Sequence, residues 1–432
     1  MLAALQAPAL SPADTAWMMV STALVLLMTP ALGFFYGGLV RSKNVLNTMM
    51  MSVASLAVVG LTWAALGYSI AFGAGNDLLG GFDFALLRSV GTETGKWGAF
   101  PHILFFAYQG SFAIIATALV SGAIVERMRF GAYLAFLSLW SLLVYAPVAH
   151  WVWGGGWLAQ MGALDFAGGT VVHITAGLAS VVAALVVGQR IDYGRQAVLP
   201  HDVTYVLLGA ALLWFGWFGF NAGSALAANG TASLAFVNTM LAPAATLFVW
   251  LMLDLKRTSK ATAVGAATAI VVGLVAITPA AGFVEPRGAI ALGLVAALPS
   301  YFALQIRSRT ALDDSLDVFG AHGVGGIVGA LLTGVLATKA WGAPGNGALY
   351  GDPHLLLVQA TGVLAAATYS ALATFIILHA IRLVVPLRRA ERNERMGLDV
   401  TQHGEEAYSD GEGALLVMQE RRARGRHHEG ET

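Results

Sequence analysis

The stretches 168-GGTVVHITAGLASVVAAL-185 and 318-VFGAHGVGGIVGALLTGVL-336 each hold one histidine inside a long apolar run. Aligned on that histidine, both read His-x-x-(Ala/Gly)-Gly-(Leu/Ile)-x-(Ser/Gly), which makes His173 and His322 equivalent positions in two related halves. An imidazole in hydrocarbon is costly unless it is paired or lines a cavity, so an intramembrane histidine points to function. A duplicated one points to a site between two repeats.

The surrounding composition sets the solvent. The chain of 432 residues is 57% hydrophobic and only 11% charged, with a mean hydropathy of +0.71. Soluble domains carry roughly 45–50% apolar and about 25% charged residues, so this chain reads as an all-α polytopic membrane protein whose environment is the lipid bilayer. A net charge of zero argues against nucleic acid as a partner. The absence of cysteine removes disulfides, thiolate catalysis and cysteine-based zinc or iron–sulfur sites. Fifty-one glycines suit helices that pack closely through small residues.

A span needs about 20 apolar residues. Eleven such runs lie near 15–38, 46–73, 101–125, 129–152, 168–188, 203–223, 232–254, 262–281, 287–305, 319–338 and 355–385. No Lys or Arg precedes Arg41, so the charged start of a secretory signal is absent and the first run reads as a retained span. Alternate loops carry Arg41 and Lys43, Arg127 and Arg129, Arg190 and Arg195, Lys256, Arg257 and Lys260, and Arg307 and Arg309. The other loops carry Arg88, Lys96, Arg287 and Lys339. This bias predicts an N-terminus outside and a C-terminus inside. The histidines fall in spans five and ten, so the layout is an inverted 5+5 repeat with an eleventh helix left over. Residues 1–385 read as the transmembrane domain and 386–432 as a cytosolic tail, disordered after about 409.

Several residues in the apolar runs suggest a path. Tyr108 and Phe112 are four apart and share a helix face. Trp153 ends the fourth span, and Trp217, Phe220 and Ser224 follow closely in the sixth. Aromatic faces and a hydroxyl can replace part of a cation's hydration shell, although Trp and Tyr also form interfacial belts with no such role. Asp165 opens the fifth span, either capping its helix or drawing a cation into a vestibule. Two facing neutral imidazoles can exchange a donor and an acceptor and leave the other nitrogens for a small polar guest. His102, His201 and His354 sit at helix ends, and His150 and His379 near them, where structural roles suffice.

The segments 34-FFYGGLVRSKNVLN-47, 146-APVAHWVWGGG-156, 164-LDFAGGTVVHITAG-177, 215-FGWFGFNAGSA-225, 314-DSLDVFGAHGVGGIVG-329 and 397-GLDVTQHGEEAY-408 closely resemble the ammonium transporter family (Amt/Mep, distant from the Rhesus proteins). The likeness runs from about residue 15 to 408. It implies a homotrimer of eleven-helix subunits in the cell membrane, carrying ammonium or ammonia and admitting methylammonium. It implies substrate recruitment at Trp153, Phe112 and Ser224 with Tyr108 beside them, a phenyl gate of Phe112 and Phe220, and a pore lined by His173 and His322. Asp165 then supports the recruitment site, Trp217 and Thr278 match further pore-region positions, and the tail around Gly397–Tyr408 meets neighbouring subunits and a PII-type signalling protein. Tyr108 departs from the phenylalanine of bacterial members. The chain lacks the cleaved signal of some relatives, and 409–432 has no recognised counterpart.

No catalytic constellation, metal site or cofactor is called for. Haem ligation by the two histidines would bring histidine pairs recurring on shared helices, and none occurs. No Gly-x-x-x-x-Gly-Lys-(Ser/Thr) motif is present to power a pump. The competing expectations are an ammonium sensor whose output is the tail, and a channel for a neutral gas like that proposed for the Rhesus branch.

Overall fold

In this computed structural model, residues 8–196 and 198–408 are described. The expectation of disorder beyond about 409 falls outside them. Among the described residues the structure is helical throughout, with no β-strand. Ten helices are long and apolar enough to cross a membrane. They are α1 (Pro12–Leu39), α2 (Ser42–Phe72), α3 (His102–Ala123), α4 (Phe130–Gln160), α5 (Gly169–Val187), α6 (Val203–Ala225), α7 (Gly230–Thr258), α9 (Pro286–Arg307), α10 (Phe319–Leu336) and α11 (His354–Val384). Between α7 and α9 lies the shorter apolar helix α8 (Ala263–Ile277).

The run expected near 262–281 is therefore shorter than drawn. Its 15 residues rise about 22 Å, less than the roughly 30 Å of hydrocarbon. Pro279 follows at once and the chain turns through Gly282, because proline cannot continue the hydrogen-bond ladder.

Packing repeats between the halves. α2 packs on α3 and α4 as α7 packs on α8 and α9, while α1 lies along α6 and α5 crosses α10. α11 packs on α5, α10 and α4. Gly177 makes the α5–α10 crossing close: a β-carbon there would strike the backbone of Gly323.

One end of the bundle carries a buried charge cluster. Glu126, 1% exposed, pairs with Arg41 at 3.0 Å and Arg190 at 3.2 Å. Arg190 reaches Asp313 at 2.8 Å, and Arg127 donates to the carbonyls of Gly188, Ala123 and Asp313. Burial alone would push the Glu126 carboxyl up, but the Arg190 and Arg41 guanidiniums hold it below its ordinary value. Asp313 behaves alike, with Arg127 and Arg190 overcoming its burial. These pairs join four interhelical loops into one plate.

The tail docks on that plate. A short helix, α12 (Glu391–Met396), is followed by a π-helical turn at Asp399–His403. The Asp399 carboxylate accepts from the N–H groups of Leu46 and Asn47 at 3.0 and 2.7 Å. Gln402 Oε1 accepts from the N–H of Phe130 at 2.7 Å. The tail thus satisfies orphan donors near the starts of α2 and α4, as a local cap would.

Candidate functional site

The site begins where α5 begins. Gly168 has φ +119°, a left-handed conformation that a side chain would strain. This turn aims four successive backbone N–H groups at one carboxylate. Asp165 accepts from Gly168, Gly169, Thr170 and Val171 at 2.9, 2.7, 2.8 and 3.0 Å. Those are the donors a helix start leaves unpaired. Asp165 is 8% exposed. Its carbonyl accepts the indole N–H of Trp153 at 2.8 Å.

At the end opposite the charge cluster, a cavity of about 270 Å³ is lined by Tyr108, Gln109, Phe112, Trp153 and Ser224, among others. Trp153 stands edge-on to Phe112, ring centroids 6.2 Å apart at 90°. Ser224 Oγ donates to the Phe220 carbonyl at 2.8 Å, which leaves its oxygen as an acceptor toward the cavity. The Tyr108 hydroxyl lies 3.0 Å from the carbonyls of Gly219 and Phe220 and 3.2 Å from Ser224 Oγ. Gln109 was not foreseen in the sequence. Its Oε1 is buried without a hydrogen-bond partner. The stacked pair Trp97 and Phe105, centroids 4.6 Å apart, was equally unforeseen and lines the same space.

Phe112 and Phe220 close the cavity's floor. Their rings stack at 4.2 Å with 28° between planes. Beyond them lies a lumen of about 10 Å³ lined by His173, His322, Trp217 and Phe220, with Leu32 and Phe35 of α1. A single water needs about that much space. The Nδ1 atoms of His173 and His322 are 3.2 Å apart, so one ring donates and the other accepts. Trp217 stacks on His173 at 5.4 Å and donates to Thr278 Oγ1 at 2.9 Å. His173 Nε2 is buried with no partner.

Both histidines ride on π-helical turns, Gly169–Ile174 and Phe319–Val324. Such wide turns recur at functional sites. Each turn also lies after an aspartate eight residues before its histidine, Asp165 and Asp314. That shared spacing was the signal available in the sequence for Asp314. Asp314 accepts from the Phe319 N–H at 2.7 Å, but its Oδ1 has no partner, and burial pushes its carboxyl up to about 6.

From the charged end, a cavity of about 600 Å³ reaches His322 and is lined by Tyr36, Arg190, Arg307 and Asp317 among others. Two aqueous-sized spaces are thus separated by a phenyl stack and a narrow lumen. Two other histidines have ordinary partners: His150 lies against the carbonyls of Ala71 and Asn76, and His102 against the Tyr68 hydroxyl. Among the described residues no His, Cys, Asp or Glu cluster suits a metal ion.

Comparison with known proteins agrees in extent. Residues 16–408 match the model of the Ammonium Transporter Family. The chain is 47% identical over 400 residues to an ammonium transporter of Bacillus subtilis (strain 168), covering 92% of this chain and 98% of that one. The crystal structure of Saccharomyces cerevisiae Mep2 matches with a TM-score of 0.85 and 36% identity, over 93% of this chain and 92% of that one. A solved Sensor Amt Protein matches with a TM-score of 0.84 and 30% identity, over 90% of this chain and 98% of that one. The long apolar helices and these matches lead to one conclusion: the chain belongs to the ammonium transporter family of multi-pass membrane proteins.

Proposed function

We propose that this protein recruits ammonium in the 270 Å³ vestibule, that the ion gives up its proton to water at the phenyl stack, and that ammonia passes through the histidine lumen with or without separate transfer of that proton. The observation that carries this reading is the lumen itself, with room for about one small guest beside two buried, paired imidazoles. A bare cation faces a Born cost of order 20 kcal/mol at low dielectric, several of which persist after relaxation. Cation–π contacts return about 0.5–2 kcal/mol each. Trp153 and Phe112, with Ser224, therefore suffice to gather the ion and not to carry it. Loss of a proton removes most of the penalty.

Potassium has no proton to lose and meets the full barrier. Ammonia both donates and accepts, which matches an imidazole pair that turns one donor and one acceptor toward its guest. Thr278 orients Trp217, Trp217 braces His173, and Asp165 fixes both Trp153 and the start of α5. The vestibule end faces outward and the charged end inward, following the basic-loop bias. The working unit on this reading is a homotrimer in the plasma membrane, eleven helices per subunit in two inverted repeats of five plus α11. The docked tail, with a PII-type protein at the same face, adjusts conduction.

A sensing role is the second reading, favoured by the likeness to the Sensor Amt Protein. An ammonium titration of flux in proteoliposomes separates the two. Saturable flux that excludes potassium supports transport, and ammonium binding without flux supports sensing.

A further inference from the structure

α11 belongs to neither set of five helices, yet one of its residues grips both histidine-bearing segments. Gln359 is 3% exposed. Its Oε1 accepts the Leu164 N–H at 2.7 Å, and its Nε2 donates to the Leu164 carbonyl at 2.7 Å. The same Nε2 donates to the carbonyl of Ala330 at 3.1 Å, eight residues beyond His322 on α10. A side-chain amide thus pairs with both polar groups of one residue in an irregular segment, where no ladder would otherwise satisfy them.

The next residue is Asp165. Its carbonyl holds the Trp153 indole and its carboxylate holds the start of α5. Leu164 is therefore the fixed point from which Trp153 hangs. Other α11 contacts grip elsewhere: Ser370 donates to the Thr175 carbonyl at 2.7 Å, and Thr374 accepts the Trp140 indole at 3.0 Å. Loss of Gln359 therefore leaves α11 docked and frees the Leu164 segment, while Ala330 stays within the helical ladder of α10.

We infer that Gln359 is a positioning residue that sets the affinity for ammonium in the vestibule by holding Trp153 in place through Leu164 and Asp165. The inference rests on the proposed recruitment site. Cation–π attraction falls off within about 6 Å of the ring centroid, so a small displacement of the indole weakens binding while leaving the lumen intact.

The test is ammonium-dependent flux in proteoliposomes for Gln359→Leu and Gln359→Asn, each made in the wild type and in Trp153→Leu. Gln359→Leu removes all three of the amide's hydrogen bonds, and the freed indole is expected to raise the half-saturating ammonium concentration about fivefold or more. The maximal rate stays within about twofold. Gln359→Asn keeps the amide one methylene short of the Leu164 N–H and carbonyl and gives an intermediate shift; it also carries the comparison if Gln359→Leu does not fold. In the Trp153→Leu background neither change shifts half-saturation further. Equal shifts in both backgrounds, or a lower maximal rate at unchanged half-saturation, would overturn the inference. If wild-type vesicles show no flux, the transport reading fails instead. Calorimetric titration of the same purified proteins with ammonium then decides the role of Gln359.

Discussion

Gln109 and Ser224 offer a cation something the rings around them do not: oxygen lone pairs inside a largely apolar vestibule. Ser224 has committed its proton to Phe220, and Gln109 Oε1 is unpartnered. Replacing Gln109 by leucine should raise half-saturating ammonium about three- to tenfold in a flux assay, with little change in maximal rate. A variant with unchanged half-saturation would remove Gln109 from the site. Much at this scale was legible beforehand. Tyr108 and Phe112 share a face by spacing alone, and the repeat in sequence around His173 and His322 announced two equivalent positions, which lie 3.2 Å apart at Nδ1. Gln109 was not legible, because a glutamine in an apolar helix looks the same whether its amide is satisfied or idle. Asp165 left two readings open; its four backbone donors place it as a cap, while its carbonyl ties that cap to Trp153.

Single elements carry the geometry that the residues use. The length of the apolar runs located most spans to within a few residues, but it could not show that α4 runs on to Gln160, that α5 and α10 start in π-helical turns or that α8 stops at Ile277. Those features depend on where backbone donors find partners, which hydropathy does not register even where, as at Asp165, the partner lies only three to six residues away. Gly177 illustrates the constraint: it faces Gly323 so closely that a methyl group has no space. Gly177→Ala should separate α5 from α10 and abolish selective flux, with a lowered unfolding midpoint in thermal scans of the purified protein. A wild-type profile in both measurements would show that the crossing yields easily. Asp165→Ala leaves four buried N–H groups without acceptors, each costing about 1–3 kcal/mol. Loss of folded protein on size-exclusion chromatography is expected, with Asp165→Asn, which retains an acceptor oxygen, partly rescued.

The whole molecule is held at its charged end by groups whose partners come from four loops and the tail. Basic residues in these loops were visible in the sequence as an orientation signal, but their pairing with Glu126 and Asp313 was not, since acidic partners lie 64 to 123 residues from Arg190. Without Glu126, Arg190 keeps Asp313 and Arg41 keeps Asp192 but buried donors lose an acceptor, so Glu126→Ala should cost about 1–3 kcal/mol, read as a lower unfolding midpoint. Asp314 works in the opposite sense with pH. Its carboxyl is raised from the ordinary 3.8 to about 6, so its contribution is full below about 3.8 and is lost as pH rises through about 6. Lowering pH from about 7.5 to 5.5 should therefore raise the unfolding midpoint of the wild type relative to Asp314→Asn. An identical pH response in the two would contradict that linkage.

The central claim is that a recruited cation crosses as ammonia through the paired imidazoles. The direct measurement is an ammonium pulse on proteoliposomes, recording membrane current and luminal pH together for the wild type and His173→Ala, with potassium pulses as controls. Saturable ammonium flux without potassium current in the wild type, lost or made permeable to potassium in His173→Ala, is the predicted result. Unaltered flux and unaltered potassium rejection in His173→Ala would contradict it.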